Sequence, residues 1–422
     1  MKYFIPIIAL LLTLCACDNE TVSSKSSPHI DTFGFQAHDS IKGIETITFT
    51  VDSIQCVVYN TDSVAYGLSL KKMLPYVTFI GNPSDLKVNG AYWNQVDSLD
   101  FSQPVSMYVL SENKRQEATY TINVNQHTVN PEEIRWKKSG EIALASTNYQ
   151  TQTVVYNQQL YCFVQTDGKT SLYTSTDGHT WAQKNSHLPP IVLHTITEYD
   201  QQLYALSADK TTLFTLANND WSSAVNFQNM QMDDILGKLD GKLWLSCVVN
   251  NRNCIVSFDG TNLNISANKN LPTLFGIQES SKTATEDAMY LIGGSKDGQL
   301  YNSVLSSDNG TYWTNILNTT GEYDFSARKK AASCYYFGKL YVFSGIDQNG
   351  NVLQDGYFSN NYGYSWESTP AYQQLPEAYE FTAGTQAVCF AENIFLIGPD
   401  ANNPAQVAIW KGRINKADFL IR

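Results

Sequence analysis

The chain has 422 residues and a formal charge of −12, from 28 Lys and Arg against 40 Asp and Glu. So acidic a chain repels phosphate backbones, which sets nucleic acid aside as a partner. Aromatic residues reach 12% while charged residues stop at 16%, a balance that favours β-structure with polar loops over more than one domain.

The first residues read MKYFIPIIALLLTLCACDNE, with Lys2 ahead of an apolar run over 4–14. That run is shorter than the ~20 apolar residues a spanning helix needs, so it reads as a secretory signal over 1–16. Leu14-Cys15-Ala16-Cys17 resembles the bacterial lipobox. The resemblance implies cleavage before Cys17 and a lipid on it; an ordinary signal peptide with an incidental Cys17 is the alternative. Residues 17–29 are polar and Ser-rich, as a flexible tether is. Asp18 and Glu20 just behind Cys17 resemble the surface-export signal of Bacteroidetes lipoproteins, which implies an outer-membrane lipoprotein exposed at the cell surface.

From 30 to 130, alternating runs at 45–51, 76–80, 105–110 and 118–124 predict antiparallel strands of a β-sandwich. LSLKKMLPYVTF and LDFSQPVSMYVLSENKRQEATYTINVN resemble the immunoglobulin-like modules near the anchors of Bacteroidetes surface proteins, and such modules act as spacers. His29, His38 and His127 are scattered and read as solvated.

From 133 to 422 the chain repeats. The pairs Leu160-Tyr161, Leu203-Tyr204, Leu243-Trp244, Met289-Tyr290, Leu340-Tyr341 and Ile394-Phe395 recur at roughly 40–55 residues, the period of four-stranded propeller blades. A strand and a tight polar turn precede most of them, as in TEYDQQLYALS and CYYFGKLYVFSG. Three segments then match the Asp-box pattern: Asp177, Gly178 and Trp181; Asp308, Gly310 and Trp313; and Asn361, Gly363 and Trp366. In families with this box it forms the turn between the third and fourth strands, and its role is structural. The expected fold is therefore all-β, an Ig-like sandwich followed by a six-bladed propeller of kelch/sialidase-like repeats. The sixth blade closes with a strand near 133–139 or with one at 417–421.

Cys247 and Cys254 flank a turn at Asn250-Asn251 that places them opposite each other, as a disulfide or as two buried thiols. No CxxC spacing or metal-ligand set occurs, and neither metal nor cofactor is expected. Galactose oxidase-like copper chemistry lacks its histidines, since the last of the six is His194. Sialidase-like chemistry needs an arginine triad, and the propeller has few arginines and no Arg-Ile-Pro opening.

The loops entering each blade's first strand are the expected ligand face, with Tyr149, His194, Asp233, Asp234, Glu279 and Arg328 as candidates. Arg328 reads either as a guanidinium that grips a carboxylate or hydroxyl, or as a solvated loop charge. Asp233-Asp234 reads as an acid/base pair or as a turn. The whole resembles a Bacteroidetes lipoprotein family of unknown function. It implies a non-catalytic surface protein, anchored through Cys17, whose propeller binds a glycan or a partner protein for uptake or adhesion. The alternative is a carbohydrate-active hydrolase or lyase using channel carboxylates.

Overall fold

The computed structural model describes residues 24–227, 230–250, 252–267, 280–296, 298–317 and 324–418. Cys17 and Glu279 lie outside the described residues. The chain divides into two compact units, Met1–Pro131 and Glu132–Arg422.

Among the described residues the first unit holds eight strands: β1 (Ile30–Phe35), β2 (Phe49–Asp52), β3 (Val57–Asn60), β4 (Pro75–Phe79), β5 (Asp85–Val88), β6 (Ala91–Tyr92), β7 (Val105–Leu110) and β8 (Glu117–Asn123). They form a six-stranded sheet in the order β2-β3-β8-β7-β5-β6 and a two-stranded sheet β1-β4. Alternation drives the packing: Val105, Met107 and Val109 from β7 and Tyr120 and Ile122 from β8 all turn into one core. Phe33 and Phe35 of β1 meet Phe49 and Phe101 there edge to face, at 4.9–6.0 Å between ring centroids. The run at 45–51 is a strand only in its second half. Gly43, at φ 81, leads instead into a 3-10 turn at Ile44–Thr46. His29 is not solvated: its Nδ1 lies 2.9 Å from the Tyr120 hydroxyl.

The second unit is a six-bladed propeller of four-stranded antiparallel sheets. The six first strands are Gln150–Tyr156, Thr197–Tyr199, Gln231–Leu239, Ser281–Ala284, Ala332–Tyr336 and Gln386–Phe390. Each touches the next around the ring, and the last touches the first. All six apolar-aromatic pairs of the sequence lie on second strands, buried between blades. Blade 6 takes its outer strand from the other end of the unit, where Ile134–Ala143 runs antiparallel to Gln406–Ile414. That pairing removes the free edges an open array would expose.

The closing strand is pinned where it enters. Glu132 bridges Lys339 of blade 5 at 2.7 Å and Lys416 at 2.9 Å. The Trp136 indole donates to the carbonyl of Gln373, whose amide donates to that of Glu132. Burial raises the Glu132 carboxyl, but its hydrogen bonds to the two lysines outweigh burial and hold it below the ordinary 4.5.

The turns between third and fourth strands lock neighbouring blades. In blades 1, 4 and 5 a serine hydroxyl (Ser175, Ser307 or Ser359) accepts from the glycine N–H of Gly178, Gly310 or Gly363. Asp177 and Asn361 cap their turns through Oδ1, as expected. In blade 4 the capping residue is Asn309, which accepts from Thr311 and Tyr312, and not Asp308. Counted from its glycine, that turn has the same spacing as the turn at 175–181. Trp313 and Trp366 are buried between the blades on either side, and Trp181 packs in the blade 6–blade 1 cluster.

Gly310 has φ 74, and a Cβ there would lie 2.0 Å from the Trp244 ring of blade 3. Gly260 of blade 3 has φ 94 with nothing within 4 Å. Gly310→Ala is therefore expected to cost about 3 kcal/mol, and Gly260→Ala about 1, in urea denaturation. Equal costs would mean that backbone conformation alone, and not blade contact, demands the glycine. Because the Glu132 carboxyl is depressed in the fold, its stabilisation is complete above 4.5 and is lost as pH falls through its folded value. Glu132→Gln should lower the melting temperature at neutral pH and flatten this acid limb, read by thermal melts across pH.

Candidate functional site

The entry-loop side of the ring gathers three of the expected residues, His194, Asp233 and Asp234, and adds Lys210 and Lys282. His194 sits in a 3-10 turn, Leu193–Thr195, ahead of blade 2. Asp233 and Asp234 lie on the first strand of blade 3, where the pairing register shifts between Met232 and Asp234. This bulge lets adjacent residues take different environments. Asp234 is fully buried while Asp233 stays partly exposed.

The Asp234 carboxylate is held on one side by Lys282 of blade 4, whose Nζ is 2.7 Å from Oδ1. The same ammonium donates to the carbonyls of His194, at 3.0 Å, and Ile235, at 2.9 Å. All three of its protons are thereby used, and one charge ties the blade 2 entry turn, blade 3 and blade 4 together. Oδ2 of Asp234 faces His194 Nε2 at 3.6 Å. Burial raises the Asp233 carboxyl; Lys210 opposes this and the Asp234 charge adds to it. Lys210 also donates to the Asp233 carbonyl at 2.9 Å. Asp233 is thus the accessible acid of the pair, and Asp234 the internal counter-ion of Lys282.

The remaining candidates serve the frame. Arg328 is fully buried and spends all five N–H donors. Nε donates to the Ser326 carbonyl, Nη1 to Ser344 O and Asp355 Oδ1, and Nη2 to Ser326 Oγ and Asp355 Oδ2. Its guanidinium also lies over the rings of Phe325 and Tyr357. It is neither a ligand grip nor a solvated charge. Tyr149 donates to the Gln406 carbonyl, and burial pushes its hydroxyl up to about 12, so it is a packed, neutral phenol. Cys247 and Cys254 pair directly across their strands and both are free thiols. Burial first, then the neighbouring Cys254, pushes the Cys247 thiol up to about 12. A second thiol pair escaped sequence reading: buried Cys334 neighbours Cys389 of the next blade, whose thiol donates to the Tyr335 carbonyl at 3.2 Å.

The opposite side of the ring carries a cavity of about 1060 Å³. Turns between first and second strands supply Asp200, Asp240, Glu286 and Asp287; turns between third and fourth strands supply Asp259 and Tyr362. Tyr335 completes the wall, stacked on Tyr362 with an interplanar angle of 17°. Among the described residues the one lysine on this wall, Lys238, is paired with Glu198. Asp259 accepts from Thr261 and Asn262, which hold its carboxyl below the ordinary range. Among the described residues no three His, Cys, Asp or Glu are grouped closely enough to hold a metal ion. Entry loops contribute nothing to this cavity, so spacing arguments centred on those loops pass it by.

Breaking the buried pair should show its structural weight. Asp234→Asn is expected to cost about 3–5 kcal/mol in urea denaturation, because it strands the Lys282 charge, whereas Asp234→Leu with Lys282→Met should recover most of that loss. A harmless Asp234→Asn would remove the pair from the blade 3–blade 4 frame.

A comparison with curated proteins finds no match. Among solved structures the chain is similar to one described as "Structure of YjhT", at 13% identity and a TM-score of 0.46, covering 63% of this chain and 94% of that one. Family models match both units, as the DUF6242 N-terminal domain over residues 20–124 and the DUF6242 beta propeller domain over residues 130–422. The chain belongs to the DUF6242 family.

Proposed function

We propose that this chain is a cell-surface lipoprotein, anchored in the outer membrane by a lipid on Cys17, whose propeller binds a glycan or a partner protein. The observation that carries the binding reading is the contrast between the two ends of the ring. At the entry-loop end Asp234, Lys282 and Arg328 are engaged within the fold, and Asp233 is left as the accessible acid. At the other end a roomy cavity presents a tyrosine stack and carboxylates with open faces. Recognition by stacking and hydrogen bonding needs such a surface, whereas glycoside hydrolysis needs an acid and a second carboxylate opposed across a scissile bond.

A carbohydrate-active hydrolase or lyase is the second reading, and one observation favours it. Asp233 is half-buried with its carboxyl raised, the condition of a general acid.

Two experiments separate these readings. In cells fed a radiolabelled fatty acid, the protein should take up label and be shaved from intact cells by protease; Cys17→Ala should abolish the labelling. Label on the Cys17→Ala variant would refute the anchor. A glycan array on the soluble protein from residue 28 onward, with turnover assayed on each hit, should give binding without product. Product formation abolished by Asp233→Asn would establish the enzyme instead.

A further inference from the structure

The binding reading leaves the ligand chemistry open. We infer that the ligand site is the tyrosine-walled cavity on the side opposite the entry loops, and that it takes a glycan bearing free amino groups and no acidic ones. This rests on the glycan form of the proposed function.

The first argument is shape and surface. The cavity of about 1060 Å³ is large enough for several sugar rings. Its wall holds the Tyr335–Tyr362 stack, and Tyr362 is 51% exposed despite its size. Tyr364 and Tyr312, on the turns of blades 5 and 4 on the same side, are 56% and 62% exposed. A large aromatic side chain left in water by a fold that buries most of its aromatics is held there at a cost in stability. Flat rings of this kind offer their faces to the C–H side of a sugar, and to a cation.

The second argument is charge. Asp200, Asp240, Glu286 and Asp287 line the cavity as exposed side chains, and the wall's single lysine is already neutralised by Glu198. The cavity wall therefore carries an excess of negative charge beside its tyrosines. A uronate or other acidic sugar would meet carboxylates with no basic partner, a repulsion that works as exclusion. An ammonium on a sugar ring would gain both a carboxylate and a ring face. Metal capture does not account for the carboxylates, since no three metal-ligating side chains are grouped closely among the described residues.

The test is calorimetric titration of the soluble protein with three probes of matched length: glucosamine oligomers, their N-acetylated counterparts, and galacturonate oligomers. The glucosamine probe should bind at least tenfold more tightly than the acetylated one, and the galacturonate probe should not bind. Tyr362→Ala should weaken glucosamine binding tenfold or more while Tyr362→Phe retains it, and Glu286→Gln with Asp287→Asn should erase the preference for the free amine. Melting temperatures of all variants should match the parent, so that lost binding is not lost folding.

Galacturonate bound as well as glucosamine, or binding indifferent to Tyr362→Ala, would overturn the inference. Were glycan binding instead lost with Asp233→Asn and Lys210→Ala, the inference would fall while the glycan reading stood. Absence of binding by every glycan would remove both. An oligolysine peptide that binds as tightly and depends equally on Tyr362 would replace the glycan with a basic protein segment.

Discussion

The propeller depends on one strand pairing. Ile134–Ala143 must find Gln406–Ile414 across nearly the whole length of the unit before blade 6 is complete. Without that pairing Gln406–Ile414 would present an open sheet edge. Contacts so distant in sequence must first overcome the entropy of closing a long loop. That explains why the junction is so heavily secured, with Glu132 taking two lysines and Asn415 binding both the backbone and the side chain of Glu133. Gly412 stands opposite Trp136 in the register, and a Cβ there would lie 2.6 Å from the indole. The large ring and the missing side chain are two halves of one fit.

Once the ring is closed, two devices set the blades against one another. Second strands are apolar on both faces because both are covered, and in blades 1, 4 and 5 the turn between third and fourth strands presses a glycine and a tryptophan on the neighbouring sheet. The second device varies by blade. Blade 5 fits one extra residue, Tyr362, at φ 58 between the capping Asn361 and Gly363. That insertion puts a tyrosine at the rim of the cavity, so a departure from the repeat is what places the exposed aromatic. Blade 4 departs elsewhere, with a small hairpin (Ser295–Lys296 and Gln299–Leu300) between its second and third strands. Arg328 beside it is the internal post that holds the blade 4–blade 5 junction to Asp355.

The repeat itself was legible because its signals are local. Period-two alternation, a two-residue turn and an apolar pair sit within a dozen residues of one another, and six copies identify the blades. The closing strand was legible only as one of two candidates, near 133–139 or at 417–421, and the pairing of Ile134–Ala143 with Gln406–Ile414 decides between them. What could not be read involved partners far apart in the chain. Lys282 matters through His194 and Asp234, and nothing near Lys282 announces either. Arg328 looked exposed because two lysines follow it, yet its partners lie at Ser344 and Asp355. The capping role went to Asp308 in the sequence and to Asn309 in the structure, because turn hydrogen bonds are counted from the glycine and not from the serine at 306.

The same reasoning explains why the expected ligand face and the open cavity lie on opposite sides. Entry loops attract attention because they hold the less common side chains, His194, the aspartate pair and Arg328. Rare polar residues in a loop are, however, what a ring needs to tie blades through buried charge, and here pairing has used up most of them. A residue held by three partners is poorly placed to trade them for a ligand, since each lost hydrogen bond must be replaced in the complex. On the other side the turns between first and second strands leave Asp200, Asp240, Glu286 and Asp287 exposed at the cavity. Availability, more than chemical distinctiveness, separates a surface that can bind from one that is already bound to itself.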